Sequence, residues 1–292
     1  MPISAFPQPG SIFNLESGCS CIKFPKFSIS IKTRQNTFTR SFSLTLFVFC
    51  LSFSFGLFAK TNNCSSHSYD EQAYVTKVYD GDSLKLADGR KIRLIGINTP
   101  EMNYDTGTPE PYAEKAKQLL ENTVLKHKVR LKYGTDKKDH YKRTLAHLLL
   151  NDETNIQYVL LEKGYASNIA IPPNLWMHKC YQAAEKLAQK TKKGIWNNRI
   201  SRPIKAKSLD RNRTGYKRVI GRINSIDHSN KNVKLYFDNK LTLIIAKNNS
   251  KYFKNFNFES FINKTVTVKG WVRLKQNRFI MDLKHPSAIE TN

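Results

Sequence analysis

The stretch "VYDGDSLKLADGRKIRLIGINTPE", Val78 to Glu101, decides the architecture. Apolar and polar residues alternate through "SLKLA" and "RKIRLIGI", the period of a half-buried strand. Asp80-Gly81-Asp82 and Asp88-Gly89 are turn sequences, the second a strong hairpin signal. With "AYVTKVY" upstream, three antiparallel strands follow. A meander can bring alternate turns to one edge, where Asp82 would meet the Asn98-Thr99-Pro100-Glu101 turn. Hard oxygen donors then converge, and calcium tolerates such a mixture of carboxylate, amide or backbone carbonyl, and water. Arg93, on the strand entering that turn, offers a planar forked cation suited to phosphate. Pro100 stiffens the loop that displays Glu101. Taken alone, Asp-Gly-Asp is an ordinary turn, and Arg93 beside Asp82 or Glu101 is an ordinary surface ion pair.

Downstream, "YAEKAKQLLENTVLKH" sets Ala113, Ala116, Leu119, Leu120 and Val124 on one helical face. "KVRLKYG" and "RTLAHLLLND" read as two further strands joined by the polar "TDKKDHYK". A short helix in "TNIQYVLLEKG" stops at Gly164, and a last helix, about residues 175 to 193, stops at Gly194. The pattern predicts an α+β domain over 71–198, a partly closed five-stranded OB-like barrel with three helices. Residues 199–214 read as an exposed basic linker, in a run with eight Lys or Arg between Arg199 and Arg218 against Asp210 alone. Five short strand patterns in 215–292 predict a second small OB-like β-barrel, a fold often used to hold single-stranded nucleic acid. Tyr236, Phe237, Trp271 and Phe279 are either its binding face or its core.

The chain has 48 Lys and Arg against 23 Asp and Glu, a formal charge of +25, which favours nucleic acid or an anionic membrane surface as partner. Residues 41–59, "SFSLTLFVFCLSFSFGLFA", carry no charge and follow Lys32, Arg34 and Arg40. Residues 1–59 therefore read as a signal peptide cut near Ala59 or as a single N-terminal anchor, with 60–70 as the mature N-terminal arm. Export would place the protein in the periplasm or outside the cell, with membrane contact only where 41–59 stay uncleaved. Cys19, Cys21 and Cys50 fall in the leader, which leaves Cys64 and Cys180 as a candidate disulfide. Neither has zinc-ligand spacing. A monomer is expected.

In combination the motifs resemble the staphylococcal-nuclease-like (thermonuclease) family. Its pattern runs Asp-Gly-Asp, an Arg on the third strand, an Asp-Thr-Pro-Glu turn, then a second Arg after Asp-x-Tyr-Gly. The matching pieces are Asp80-Gly81-Asp82, Arg93, Asn98-Thr99-Pro100-Glu101, and "DHYKR" with Asp139, Tyr141 and Arg143. "VLLEKGYA", "IPPN" and "KKGIW" also look like the family's helices and loops, so the likeness spans about 71–197.

This resemblance implies a calcium-dependent endonuclease that hydrolyses phosphodiester bonds of DNA and RNA and leaves 3′-phosphate ends. It implies Asp82 as a carboxylate metal ligand, Thr99 as a backbone-carbonyl ligand, and Asn98 in the place of a second carboxylate. Glu101 would orient or deprotonate the attacking water, while Arg93 and Arg143 clamp the phosphate. Tyr141, Lys142 and His140 would touch substrate, whereas His147, in a strand-like run, reads as structural. Three departures carry consequences. Asn98 removes one negative charge, so weaker calcium binding is expected. Lys142 replaces a glycine, and Ile169 and Ile171 replace tyrosines that flank the nucleotide. The rival reading is a non-catalytic nucleic-acid-binding protein on the same fold, and a basic envelope-associated structural protein is a third class. Neither binding alone nor a structural role would require a carboxylate such as Glu101 facing a polyanion.

Overall fold

Alternation through residues 71–94 produces three antiparallel strands, β1 (Glu71–Val78), β2 (Ser83–Leu86) and β3 (Lys91–Leu94), in a computed structural model that describes residues 64–105, 107–197 and 199–290. The leader or anchor at 1–59 lies outside the described residues. Among the described residues no helix is long and apolar enough to cross a membrane. The chain continues through β4 (Ile97–Asn98), α1 (Ala113–Val124), β5 (Lys128–Lys138) and β6 (Thr144–Leu149). Strand order β1-β2-β3-β6-β5 closes on itself through β1–β5, and β3–β6 is the parallel pair. Leu84, Leu86, Ile92, Leu94, Leu131 and Leu148 fill the interior. Ala113, Ala116, Leu120 and Val124 turn the apolar face of α1 inward, with Leu119 half-buried beside it.

The remaining elements of this unit are α2 (Ile156–Glu162), β7 (Ser167–Asn168) and α3 (His178–Lys190). Asn155 caps α2 by accepting the backbone N–H of Tyr158 at 3.0 Å, which satisfies a donor that the helix start would otherwise leave open. Tyr181 of α3 is fully buried, and its hydroxyl meets His147 Nδ1 at 2.8 Å and Asn155 Oδ1 at 3.1 Å. A disulfide joins Cys64 to Cys180 in α3.

The second barrel is built from β9 (Gly215–His228), β10 (Asn232–Phe237), β11 (Leu241–Ala246), β12 (Thr265–Lys275) and β13 (Arg278–Asp282), preceded by β8 (Ile204–Lys205) and followed by β14 (Ile289–Glu290). Its order, β9-β10-β11-β13-β12 and back to β9, repeats that of the first barrel, again with one parallel pair, β11–β13. Both are OB-like five-stranded barrels. Part of the stretch read as a basic linker belongs to this second unit. Ile204 and Lys205 pair with β9, and Ala206 and Leu209 are buried in its core. The reason is the apolar residues interleaved among the basic ones, which gain more from burial than from water. Phe237 and Phe279 are core side chains, whereas Tyr236 is half-buried and Trp271 is 38% exposed, packed edge-on against Tyr216.

Residues 60–292 form one unit, so the two barrels contact each other directly. Glu185 of α3 and Lys269 of β12 make a buried ion pair across the seam. His178 stacks edge-on with His285 at 4.6 Å, and the guanidinium of Arg218 lies 5.1 Å from the Trp196 ring centre.

Candidate active site

The turn Asp80-Gly81-Asp82 joins β1 to β2, and its tightness is enforced from outside. A Cβ on Gly81 would stand 2.6 Å from that of Ala116 in α1 and 2.8 Å from Thr99 Cγ2, so only glycine lets the turn reach both. Asp80 Oδ1 accepts the Asp82 N–H at 2.9 Å, and the Leu94 N–H donates to the Asp82 carbonyl at 2.8 Å. The buried Asp82 carboxylate is thereby aimed at the loop after β4. Its Oδ2 accepts the Thr99 N–H at 2.9 Å and the Thr99 hydroxyl at 3.0 Å, and pairs with Arg93 Nη1 at 2.8 Å. The same guanidinium donates from Nη2 to Asn98 Oδ1 at 3.1 Å. Asp82, Arg93, Asn98 and Thr99 thus form one closed network, and each is buried or nearly so.

Arg143 enters from the turn before β6. Asp139 Oδ1 accepts the N–H groups of Tyr141 and Arg143, and its Oδ2 pairs with Arg143 Nε at 2.8 Å. Arg143 Nη1 then donates to Ser83 Oγ at 3.3 Å, and Ser83 Oγ donates to Asp82 Oδ1 at 3.2 Å. Ser83 therefore joins the two arginine halves of the site, and Asp139 orients Arg143 within its own half. Asp139 was visible as a motif letter, but Ser83 gives no sequence signal beyond its place after Asp82. Tyr141, 69% exposed, lies under the Arg143 guanidinium, and the His140 ring stacks 3.8 Å from it. Ile169 and Ile171 are half-buried. His147 sits in the core with Tyr181 and Trp176, away from this network.

Glu101 stands exposed at the mouth, just beyond Pro100. Partial withdrawal from water, then the Asp82 charge, raise its carboxyl above the usual carboxylate range, with Arg93 and Arg143 opposing. Burial and then Asp82 likewise push Asp80 up. Among the described residues no three carboxylate, imidazole or thiolate groups converge as a ready metal cage. What the loop offers is a set of hard oxygens, the Asp82 carboxylate, Asn98 Oδ1 and the Thr99 carbonyl, surrounded by carboxylates that repel one another. That donor chemistry fits a calcium ion and fits soft metals poorly.

A model of the family described as staphylococcal nuclease homologue matches residues 91–198, a range that ends before the second barrel. The chain is 36% identical over 133 residues to a thermonuclease of Staphylococcus hyicus, covering 44% of this chain and 78% of that one. A thermonuclease of Staphylococcus intermedius is 35% identical over 130 residues, covering 43% and 76%. The chain belongs to the staphylococcal nuclease family. Endonuclease YhcR of Bacillus subtilis is 32% identical over 140 residues, which cover 43% of this chain and 11% of that protein. As a nuclease of this family, the protein carries Asn98 where the family motif described above has a carboxylate. There the amide Nδ2 donates to the Thr99 carbonyl at 3.2 Å and so occupies a second candidate metal donor.

Proposed function

We infer that the protein is an exported endonuclease that hydrolyses DNA and RNA with calcium and leaves 3′-phosphate ends. The observation that supports this best is the single network Arg143–Ser83–Asp82–Arg93–Asn98 with Glu101 at its mouth. Hydrolysis of a phosphodiester adds charge to a group that is already anionic, so preorganised cations around it lower the barrier. Arg93 and Arg143 are held for that purpose by Asp82, Asn98 and Asp139 before any substrate arrives. Glu101 takes a proton from, or orients, a water attacking opposite the leaving oxygen. Calcium, held by Asp82, Asn98 and Thr99, would supply further stabilisation of the phosphate charge. Tyr141, with His140 and Lys142, packs against the nucleotide, and the second barrel holds the substrate strand. Export fits a disulfide and a nonselective hydrolase, since thiol-reducing compartments disfavour the first.

Purified protein incubated with plasmid and with RNA should degrade both in calcium and neither in chelator. Glu101→Gln should lower kcat by roughly 10² to 10⁴. Products should resist polymerase extension until a phosphatase removes their 3′-phosphate. Cleavage indifferent to both chelator and Glu101→Gln overturns the mechanism, and tight binding without cleavage would establish the non-catalytic reading.

A further inference from the structure

Two chains of contacts run from the second barrel to the two ends of the loop Asn98 to Glu101. At the far end, Glu101 is tied twice to Glu110. The Glu101 N–H donates to Glu110 Oε2 at 3.0 Å, and the Glu110 N–H donates to the Glu101 carbonyl at 2.9 Å. The other carboxylate oxygen, Glu110 Oε1, accepts Lys217 Nζ at 3.3 Å, and Lys217 lies in β9. At the near end, Asn98 and Ile97 pair with Ser167 and Asn168 in the β4–β7 ladder. The Asn168 N–H donates to Glu185 Oε1 at 2.8 Å, and Glu185 Oε2 is paired with Lys269 of β12. Between these anchors the loop faces the second barrel across a cleft. A cavity of about 240 Å³ has Asn98, Thr99 and Pro100 among its lining on one side and Tyr216, Lys217 and Arg218 on the other.

We propose that the second barrel positions the hydrolytic loop, with Lys217 acting through Glu110 on Glu101 and Lys269 acting through Glu185 on the β4–β7 ladder. The proposal rests on Glu101 serving the attacking water, as read above. Its physical basis is the space between loop and second barrel: Asp82 and Arg93 hold the middle of the loop from the first barrel, and the second barrel reaches it only through charge-assisted hydrogen bonds at its ends. A displacement of the base by about an ångström is enough to cost a large part of the rate. Lys217 is the informative position because it is half-exposed and its loss leaves no buried charge. Lys269→Met would strand the buried Glu185 carboxylate and risks the fold itself.

The test is steady-state kinetics of the full chain on two substrates, single-stranded DNA and a nitrophenyl phosphodiester of one nucleoside, too small to span the two barrels. Lys217→Ala should lower kcat on the small substrate roughly tenfold, with KM and melting temperature unchanged. Lys217→Arg should restore most of the rate. In a Glu101→Gln background Lys217→Ala should have no further effect, because the group it positions is gone. Unchanged kcat on the small substrate with a raised KM on DNA overturns the proposal and makes Lys217 a substrate contact. An equal loss in the Glu101→Gln background also overturns it. A wild-type chain that cleaves neither substrate overturns the reading of Glu101 beneath it, a result distinct from active enzyme indifferent to Lys217.

Discussion

Lys142 is where this chain carries a cost that the glycine of the family pattern would avoid. It has a φ of 64°, inside the turn that sets Arg143 against Asp139, and its N–H closes that turn on the Asp139 carbonyl at 2.9 Å. An L-residue in that region costs about 1 to 2 kcal/mol. Glycine would remove the strain but give back roughly 0.5 to 1 kcal/mol through the freer unfolded chain. Lys142→Gly should therefore stabilise the protein by about 0.5 to 1 kcal/mol, measured by urea unfolding. Its ammonium is exposed beside Tyr141, so the same variant should bind polynucleotide more weakly, with a shallower salt dependence. A variant that loses stability would show that the lysine side chain holds the turn. In the proposed function, this conflict with local backbone preference beside Arg143 is offset by charge offered to a passing phosphate backbone.

At the scale of elements, β6 and α3 are joined by polar groups within an apolar core. His147 of β6 is buried against Tyr181 of α3, with Asn155 at the start of α2 and Trp176 closing the ring in. Burial lowers its pKa to about 3, and the half-buried His178, beside His285 and Lys269, is lowered to about 4. Both are held neutral in the fold, whereas the unfolded chain protonates them near 6.5. The unfolded state thus binds more protons between those values, so their contribution is complete above about pH 6.5 and is lost as pH falls toward 4. Asp80 and Glu101, raised in the fold, act in the opposite sense over the same range. The histidine contribution is therefore read as a difference: the urea midpoint of wild type minus that of His147→Asn, measured at pH 7.5, 6, 5 and 4, should fall steadily below about pH 6.5. A flat profile would show that His147 does not remain neutral. Strand and helix positions in these elements were legible because their apolar period survives in the sequence. The β6–α3 network was not, since nothing local tells Tyr181 to meet His147 across 34 residues.

For the whole molecule, the opening meander and the two five-stranded barrels followed from the pattern, and the meeting of Asp82 with the Thr99 turn followed from meander geometry. The seam did not. Glu110 lies between two prolines, Lys217 is one of many lysines, and Lys269 sits mid-strand, so their shared link to Glu101 exists only in three dimensions. The disulfide belongs to the same scale. Cys64 and Cys180 are 116 residues apart, and their bond fastens the arm that precedes β1 to the helix that carries Tyr181 and Glu185. Closing a loop of that length restricts the unfolded chain by about 4 to 5 kcal/mol in the chain-entropy account, a large share of a typical domain's stability. Because α3 also bears the Glu185–Lys269 pair, its loosening would reach the second barrel as well as the first. Cys64→Ser with Cys180→Ser should lower stability by roughly 2 to 5 kcal/mol, read from urea unfolding, and reductant should reproduce the loss in the wild type but not in the variant. Tryptophan fluorescence can follow both barrels at once, through Trp176 and Trp196 in the first and Trp271 in the second. A single transition that shifts as one would show the seam to be cooperative; two separated transitions, with only the first moved, would confine the disulfide's effect to the nuclease barrel.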